Sequence, residues 1–337
     1  MVKRVGNLME RIASRENLHE AFLRAARGKS GKMAVVKFRN HLDDHLKLMQ
    51  EQLLDGTYRF GQYQFFTIHD PKKREICAAS FPDRVVFHAM MRICHPVFDN
   101  YQDYDSYASR IGKGTYKALE RAQQYARQYQ WFAKLDVCHY FESIDHQVMM
   151  QQLCRLFKDP QLLLFFQCLL NDYHSSPGKG LPIGNLTSQY FANHYLSVAD
   201  HYAKQQLRVP GLVRYMDDVL LFSNDKHRLL HDVGIYIRYV ENELKLQLHD
   251  PVVNRTSCGI PFLGYVVYGN GLRLNRRSKL RFREKMAALA AEVDLESINQ
   301  QEYAMRGQCM LAFVRKAQTD GFLRNMVQTT GVYPLGL

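Results

Sequence analysis

Leu212-Val213-Arg214-Tyr215-Met216-Asp217-Asp218-Val219-Leu220-Leu221-Phe222-Ser223 is the stretch that decides the fold of this chain. Two apolar runs, each of strand length, flank two adjacent carboxylates. The pattern predicts a strand Leu212–Met216, a tight hairpin through Asp217-Asp218, and a strand Val219–Ser223. A bare Asp-Asp pair is an ordinary polar corner. This one has a counterpart upstream, because Trp131–Val137 is another short apolar run and carries Asp136 near its end. Three carboxylates brought to one point repel one another unless cations lie among them. Oxygen ligands at that density select hard divalent ions whose shells are completed by substrate phosphates.

The rest of the 337-residue composition agrees. A formal net charge of +12 in a chain that is 46% hydrophobic points to a folded protein that meets a polyanion, either nucleic acid or an anionic membrane surface. No run of about 18 apolar residues could span a bilayer. The N-terminus, Met1 to Phe22, is charged throughout and lacks the apolar core of a secretion signal. The expectation is a cytoplasmic protein with no membrane partner. Seven cysteines (Cys77, Cys94, Cys138, Cys154, Cys168, Cys258, Cys309) are scattered and never spaced C-x-x-C. This argues against a disulfide framework or a zinc knuckle, and for small buried residues in a reducing compartment.

Working outward, residues 7–54 suggest two amphipathic helices broken near Gly28–Lys32 and stopped at Asp55-Gly56. Gln62–Ile68 and Arg74–Ala79 suggest strands around a turn at Asp70-Pro71. Pro82 opens a helix to about Cys94, and Thr115–Gln130 is helical. Gln147–Asn171 divides at Asp159-Pro160 into two helices, Leu186–Leu207 is one long helix, and Arg228–Leu244 another. Phe262–Tyr268, Gly269-Asn270-Gly271 and Leu272–Leu274 form a hairpin signal, and helix resumes from Arg276. The mixed order predicts an α+β core with helical flanks.

With these motifs in order, the chain resembles reverse transcriptases along nearly all its length. The resemblance implies a right-hand polymerase fold with fingers, a palm of antiparallel sheet plus helices, and a small helical thumb. Its divisions would be a helical extension (1–60), fingers (61–130), a palm interleaved with finger elements (131–275) and the thumb (276–337). It implies catalytic Asp136, Asp217 and Asp218, which with the Val137 carbonyl would hold two Mg²⁺ ions, Mn²⁺ being able to substitute. Pro71-Lys72-Lys73-Arg74 and Phe81-Pro82-Asp83-Arg84 resemble the first fingers motif, which makes Lys72 and Arg74 contacts to the incoming triphosphate. Tyr107–Thr115 resembles the second motif and offers Arg110, for which a solvated turn is the alternative. In Asp136-Val137-Cys138-His139-Tyr140-Phe141, Tyr140 takes the place of the gate that excludes a 2′-hydroxyl; an ordinary core aromatic is the other reading. Tyr215, Met216 and the Phe262-Leu263-Gly264 turn would touch the primer–template. Relatives often carry lysine near Gln247, where this chain has Lys245 two residues earlier.

Leu181-Pro182-Ile183-Gly184-Asn185-Leu186-Thr187-Ser188-Gln189 narrows the resemblance. Intron and retroviral relatives usually have glutamine at the position of Ile183, and intron enzymes end the motif in Ser-Pro. The form seen here, with nucleotide contacts at Ile183, Gly184 and Gln189, is similar to the reverse transcriptases of diversity-generating retroelements. So are Arg4-Val5-Gly6-Asn7-Leu8 and Glu16-Asn17-Leu18. That group copies a template-repeat RNA into cDNA with errors at adenines, uses dNTPs, and works with a small basic ring-forming accessory protein in prokaryotic cells or their phages. The alternatives are a faithful enzyme of intron, retron or antiphage type, and a non-catalytic RNA-binding protein that has kept the fold.

From Arg273 to Lys285 seven residues are basic (Arg273, Arg276, Arg277, Lys279, Arg281, Arg283, Lys285) against one acid, Glu284. Such a helix suits a nucleic-acid backbone, with Arg276, Arg277 and Arg281 as primer–template contacts; a solvated charged face is the plainer reading.

Overall fold

The computed structural model describes residues 3–69, 73–295 and 297–330; Lys72 lies outside them. Four helices open the chain, α1 (Met9–Ile12), α2 (Arg15–Ala26), α3 (Met33–Asn40) and α4 (Leu42–Leu54), where two were expected. Ser14 makes the first extra break by capping α2, its side chain accepting from Asn17 N–H. The second falls at His41, whose backbone leaves helical geometry. A two-stranded ribbon follows, β1 (Gln64–Ile68) against β2 (Arg74–Ala78).

Helix α5 (Phe81–Tyr101) begins at Ser80, which accepts from Asp83 N–H, with Pro82 in its first turn. It does not stop near Cys94. Pro96 lies inside it, and the helix continues because Phe98 is buried against the rings of Phe157, Tyr190 and Phe191. Packing here outweighs the usual cost of an interior proline. Then come α6 (Thr115–Gln128), β3 (Trp131–Leu135), α7 (Tyr140–Ser143), α8 (His146–Leu156), α9 (Pro160–Asn171) and α10 (Leu186–Gln205). After them stand β4 (Gly211–Tyr215), β5 (Asp218–Ser223), α11 (Lys226–Leu244) and β6 (Val252–Arg255).

Strands β4, β5, β3 and β6 lie side by side in that order as one antiparallel sheet. Period-2 alternation splits its residues between two cores. Ala133, Leu135, Leu212, Val219 and Leu221 join the larger core, which α5, α8, α9, α10, α11 and the N-terminal helices share. Phe132, Val213, Leu220 and Phe222 face a second core, with residues of α6 and the C-terminal elements. Those elements are a three-stranded sheet, β7 (Ile260–Phe262), β8 (Tyr265–Tyr268) and β9 (Gly271–Leu274), and helices α12 (Arg276–Asp294), α13 (Gln300–Arg315) and α14 (Asp320–Thr330). The single strand expected over Phe262–Tyr268 is broken, because Leu263 and Gly264 both take positive φ (48° and 87°) and turn the chain back.

This is the mixed helix and antiparallel-sheet architecture of a right-hand polymerase. Among the described residues no helix is long and apolar enough to cross a membrane. Only Cys77 and Cys94 are buried; Cys154, Cys168, Cys258 and Cys309 are exposed, so the expectation of uniformly buried cysteines is corrected.

Candidate active site

The register of the central sheet brings the carboxylates together. Leu135 pairs with Val219, so the next residue, Asp136, continues the register opposite Asp218. Directly opposed residues stand roughly 5 Å apart at Cβ. Tyr215 pairs with Asp218. The hairpin loop is therefore Met216-Asp217, and Asp218 is the first residue of β5 instead of part of the turn, which corrects the expected Asp217-Asp218 corner. Met216 takes φ of 57° to close it, a conformation that costs a side chain of this kind about 1–3 kcal/mol and marks a constrained site.

Past β3 the chain leans on the segment after α11. Cys138 N–H donates to the Gln247 carbonyl at 2.8 Å, and His249 N–H donates to the Asp136 carbonyl at 2.9 Å. Strand alternation then turns the carbonyl of Val137 to the other side, toward β5. Lys245 is directed elsewhere: in the left-handed region at φ 53°, it places Nζ 3.0 Å from Asp145 Oδ2.

Electrostatics follow from this crowding. Burial pushes the Asp218 carboxyl up to about 7, Asp136 and Asp217 push it the same way, and Lys134 opposes them. Asp217 is also raised, by burial first and then by Asp136, with Arg74 and Arg214 opposing. Lys134 Nζ lies 3.2 Å from Asp218 Oδ2, while Asp218 Oδ1 is buried with no hydrogen-bond partner. An orphaned, buried carboxylate oxygen beside two further carboxylates fits a hard cation. Among the described residues no three His, Cys, Asp or Glu side chains converge closely enough to hold an ion alone. A protein cage of that kind is not what Mg²⁺ needs when phosphates complete its shell.

Of the expected nucleotide contacts, Arg74 lies on β2, exposed, and acts electrostatically on Asp217. Its ribbon is seated on the Ile183-Gly184 loop: Cys77 N–H donates to the Ile183 carbonyl at 2.8 Å. Gly184, at φ 117°, lies so close to the ribbon that an added Cβ would stand 2.9 Å from Ile76 Cγ2. Ile183 is half-buried and Gln189 exposed, with Ser109 Oγ donating to Gln189 Oε1 at 3.3 Å. Beside them Arg84, His88, Gly184, Asn185 and Gln189 line a cleft at the start of α10. Tyr140 is buried, and its hydroxyl donates to the Ala192 carbonyl.

Arg110 is a correction. Its guanidinium donates to Asp99 Oδ1 at 2.7 Å and to the carbonyls of Asp99, Asp103 and Ser106. Four acceptors from the end of α5 and the loop after it turn it inward, so it is neither a solvated turn nor a side chain presented to phosphate.

On the primer side, Tyr215 is half-buried, and Thr115 Oγ1 donates to its hydroxyl at 3.2 Å. Phe262 is buried. The Gly264 carbonyl accepts from Ser278 Oγ at 2.8 Å, which docks the Leu263-Gly264 turn on α12. Phe282, Met286 and Leu289 bury one side of α12; Arg276 and Arg277 are exposed and Arg281 lies half-buried beside Lys285 in a cleft with Phe313.

Two residues of the site went unread in the sequence. Lys134 lies on the same strand face as Asp136, two positions earlier, which was the available signal. Arg214 lies in β4 between apolar neighbours, completely buried, and a charge there was visible but unexplained.

Comparison with known proteins agrees with this geometry. The family described as "Reverse transcriptase (RNA-dependent DNA polymerase)" matches residues 69–267. The putative COX1/OXI3 intron 1 protein of Saccharomyces cerevisiae is 22% identical over 174 residues, covering 49% of this chain and 21% of that protein. The putative COX1/OXI3 intron 2 protein of the same yeast is 24% identical over 252 residues, covering 55% and 29%. The chain thus spans under a third of the length of either relative. Among solved structures, a telomerase from Candida albicans, in complex with a TWJ fragment of telomeric RNA, superposes with TM-score 0.50 at 13% identity. The match covers 68% of this chain and 51% of that one, a likeness of fold.

Proposed function

The chain belongs to the reverse transcriptase family, and on that premise we propose that it is an RNA-directed DNA polymerase of the diversity-generating kind. It copies a template-repeat RNA into cDNA with errors concentrated at adenines, for targeted gene diversification. The observation that carries the catalytic part is the set of Asp136, Asp217 and Asp218 on adjoining strand ends, with Asp218 Oδ1 buried and unpartnered. Asp136, Asp217, Asp218 and the Val137 carbonyl would hold two divalent cations, Mg²⁺ or Mn²⁺. When bound, these neutralise phosphate charge and lower the pKa of an attacking 3′-hydroxyl.

The chain's own residues do the rest. Arg74 offers a guanidinium to the triphosphate beside Asp217, and Lys134 holds Asp218 until a cation takes its place. Tyr140, fixed through its hydroxyl, presents a rigid ring as the sugar gate. Arg84 gives the cleft at the start of α10 a positive lining for the template strand, with His88 beside it held neutral by burial and by the Arg84 charge, while Arg276, Arg277 and Arg281 grip the primer–template backbone. In this reading the chain divides into a helical extension to residue 60, fingers 61–130, palm 131–275 and thumb from 276.

Error-proneness rests on Ile183. A glutamine there could hydrogen-bond the nucleotide and its surroundings, and such bonds strengthen only with correct geometry; isoleucine supplies shape alone. Removing them narrows the difference between right and wrong nucleotides. The intron proteins among the relatives support a second reading, a faithful intron-type enzyme. The test is cDNA synthesis on the template-repeat RNA with Mg²⁺ and the small basic accessory protein, followed by sequencing. Errors at template adenines that fall in Ile183→Gln, with synthesis retained, support the diversity-generating reading. Faithful wild-type cDNA moves the chain to the second one, and no cDNA under any condition removes the polymerase reading.

A further inference from the structure

Arg214 lies directly behind the hairpin and touches neither solvent nor the cleft. It and Asp200 on α10 are both 0% exposed. The guanidinium grips both Asp200 oxygens at 2.7–2.9 Å through Nε, and Nη2 lies 2.7 Å from Asp200 Oδ2. Nη1 donates to the Met216 carbonyl and to Asn193 Oδ1, each at 2.9 Å. Nη2 also donates to Gln102 Oε1 and the Asn193 carbonyl, both at 3.1 Å. Every N–H of the fork is engaged. The Met216 carbonyl is the part that matters chemically, because Met216 is the residue at positive φ and its carbonyl carbon is bonded to the nitrogen of Asp217.

The backbone of the same residue, and the side chain through Asn193, reach the nucleotide side of the site. Arg214 N–H donates to the Asp105 carbonyl and the Arg214 carbonyl accepts from Tyr107 N–H, both at 2.9 Å. Asn193, whose oxygen Arg214 holds, donates to the Ala108 carbonyl at 2.8 Å. One residue further along, Ser109 donates to Gln189. On α10, Asn193 follows Ala192, the residue whose carbonyl holds the Tyr140 hydroxyl. One turn of α10 therefore anchors the hairpin, the loop from Asp105 to Ser109, and the ring of Tyr140.

We propose that Arg214, fixed by Asp200 and Asn193, is the positioning residue of the active site: it holds the Met216-Asp217 turn in its strained form and ties it to the loop from Asp105 to Ser109. A buried pair of this kind is weak evidence of a stabilising role, since apolar pairs of similar volume are often as stable or more so. Its directional fork onto the Met216 carbonyl is what an apolar pair cannot supply. The inference rests on the polymerase reading for its consequence, but not for its geometry.

The experiment uses the full chain bound to a template–primer and a non-reactive dNTP analogue, with Mn²⁺ as the probe, titrated by electron paramagnetic resonance. Three variants are compared: Arg214→Met with Asp200→Leu, Arg214→Lys, and Asn193→Ala. The double variant should keep its melting temperature near wild type, yet bind Mn²⁺ about 10- to 100-fold more weakly. Its kcat should fall by roughly 100-fold, as expected for reacting groups displaced by about 1 Å, with template–primer affinity unchanged. Leu153→Ala, a cavity in the larger core away from these contacts, should lower the melting temperature and leave Mn²⁺ binding alone.

A folded double variant with wild-type Mn²⁺ affinity and kcat overturns the proposal. If the double variant does not fold, Arg214→Lys and Asn193→Ala decide: weaker Mn²⁺ binding supports the proposal and wild-type binding overturns it. Arg214-dependent Mn²⁺ binding in a chain that makes no cDNA would sink the polymerase reading and leave the positioning role standing.

Discussion

The central sheet and the β1–β2 ribbon both deliver charge to one site, and they are built on opposite terms. Strands β3 and β5 are buried between two cores, and their register alone places Asp136 against Asp218. The ribbon has two strands, and every residue of β1 is exposed, with Phe65 and Phe66 both more than half open to solvent. Two strands alone are marginal in water. Arg74 therefore depends on a seat, namely the Cys77 bond to Ile183 and the close approach at Gly184. The carboxylates are fixed by packing and the cation by docking. This division suits a site whose carboxylates must not move and whose triphosphate contact must admit and release a nucleotide.

The largest effect should come from the fixed side. Asp217→Asn or Asp218→Asn should lower cDNA synthesis by at least about 10⁴-fold, because charge neutralisation by correctly placed groups supplies most of this chemistry. Single-nucleotide incorporation measures it. Residual activity within tenfold of wild type in either variant would break the assignment of the fixed side.

Next is the seat. Gly184→Ala puts a Cβ 2.9 Å from Ile76 Cγ2 at a φ that favours glycine. It should reduce kcat/KM for dNTP by about 10- to 100-fold with little change in template–primer affinity. Adding Arg74→Ala should then cost much less than it does in the wild type, since an unseated arginine no longer reaches the triphosphate. Additive effects in that double-mutant cycle would mean that the ribbon and the loop act separately.

The thumb gives a smaller, diffuse effect. Neutralising Arg276, Arg277 and Arg281 should weaken primer–template binding. It should also flatten the dependence of log K on log salt by about one for each phosphate that is no longer neutralised. Wild-type salt sensitivity in the triple variant would place the strand elsewhere.

What could be read without coordinates follows the same division. The central sheet was legible because strand period, hairpin signal and two acidic positions are local and agree with one another. Strand ends fell within a few residues, and the error at the turn was one residue, because Met216 rather than Asp217-Asp218 takes the unusual φ. Helix α5 runs past its expected end near Cys94 because the aromatic cluster around Phe98 comes from Phe157, just after α8, and from α10, both distant in sequence. Arg110 was misread for a related reason: three of its four acceptors are backbone carbonyls, which leave no trace in residue type, and the fourth is the Asp99 carboxylate eleven residues away. Arg214 shows the limit most plainly. Its charge was in view, but its meaning lay in Asp200, Asn193 and Gln102, which only the fold brings together.

The smallest effect is the most direct check of how tightly the fixed side is held. Burial raises the Asp218 carboxyl to about 7 in the folded protein, whereas in the unfolded chain it titrates at about 3.9. Between those values the folded state holds a proton that the unfolded state has released, so stability falls as pH rises through that window. Below about pH 4 both states are protonated and the penalty vanishes. In metal-free protein, Asp218→Asn should therefore match wild type in stability near pH 4. Above pH 7 it should exceed wild type by on the order of 2 kcal/mol, allowing for relaxation and screening. Chemical denaturation at a series of pH values measures the difference between the two proteins, which cancels other titrating groups such as the buried His194. Added Mg²⁺ should shrink that difference from the wild-type side only. A gap that stays flat from pH 4 to pH 8 would mean Asp218 is well solvated, and the contrast between a fixed sheet and a docked ribbon would lose its electrostatic half.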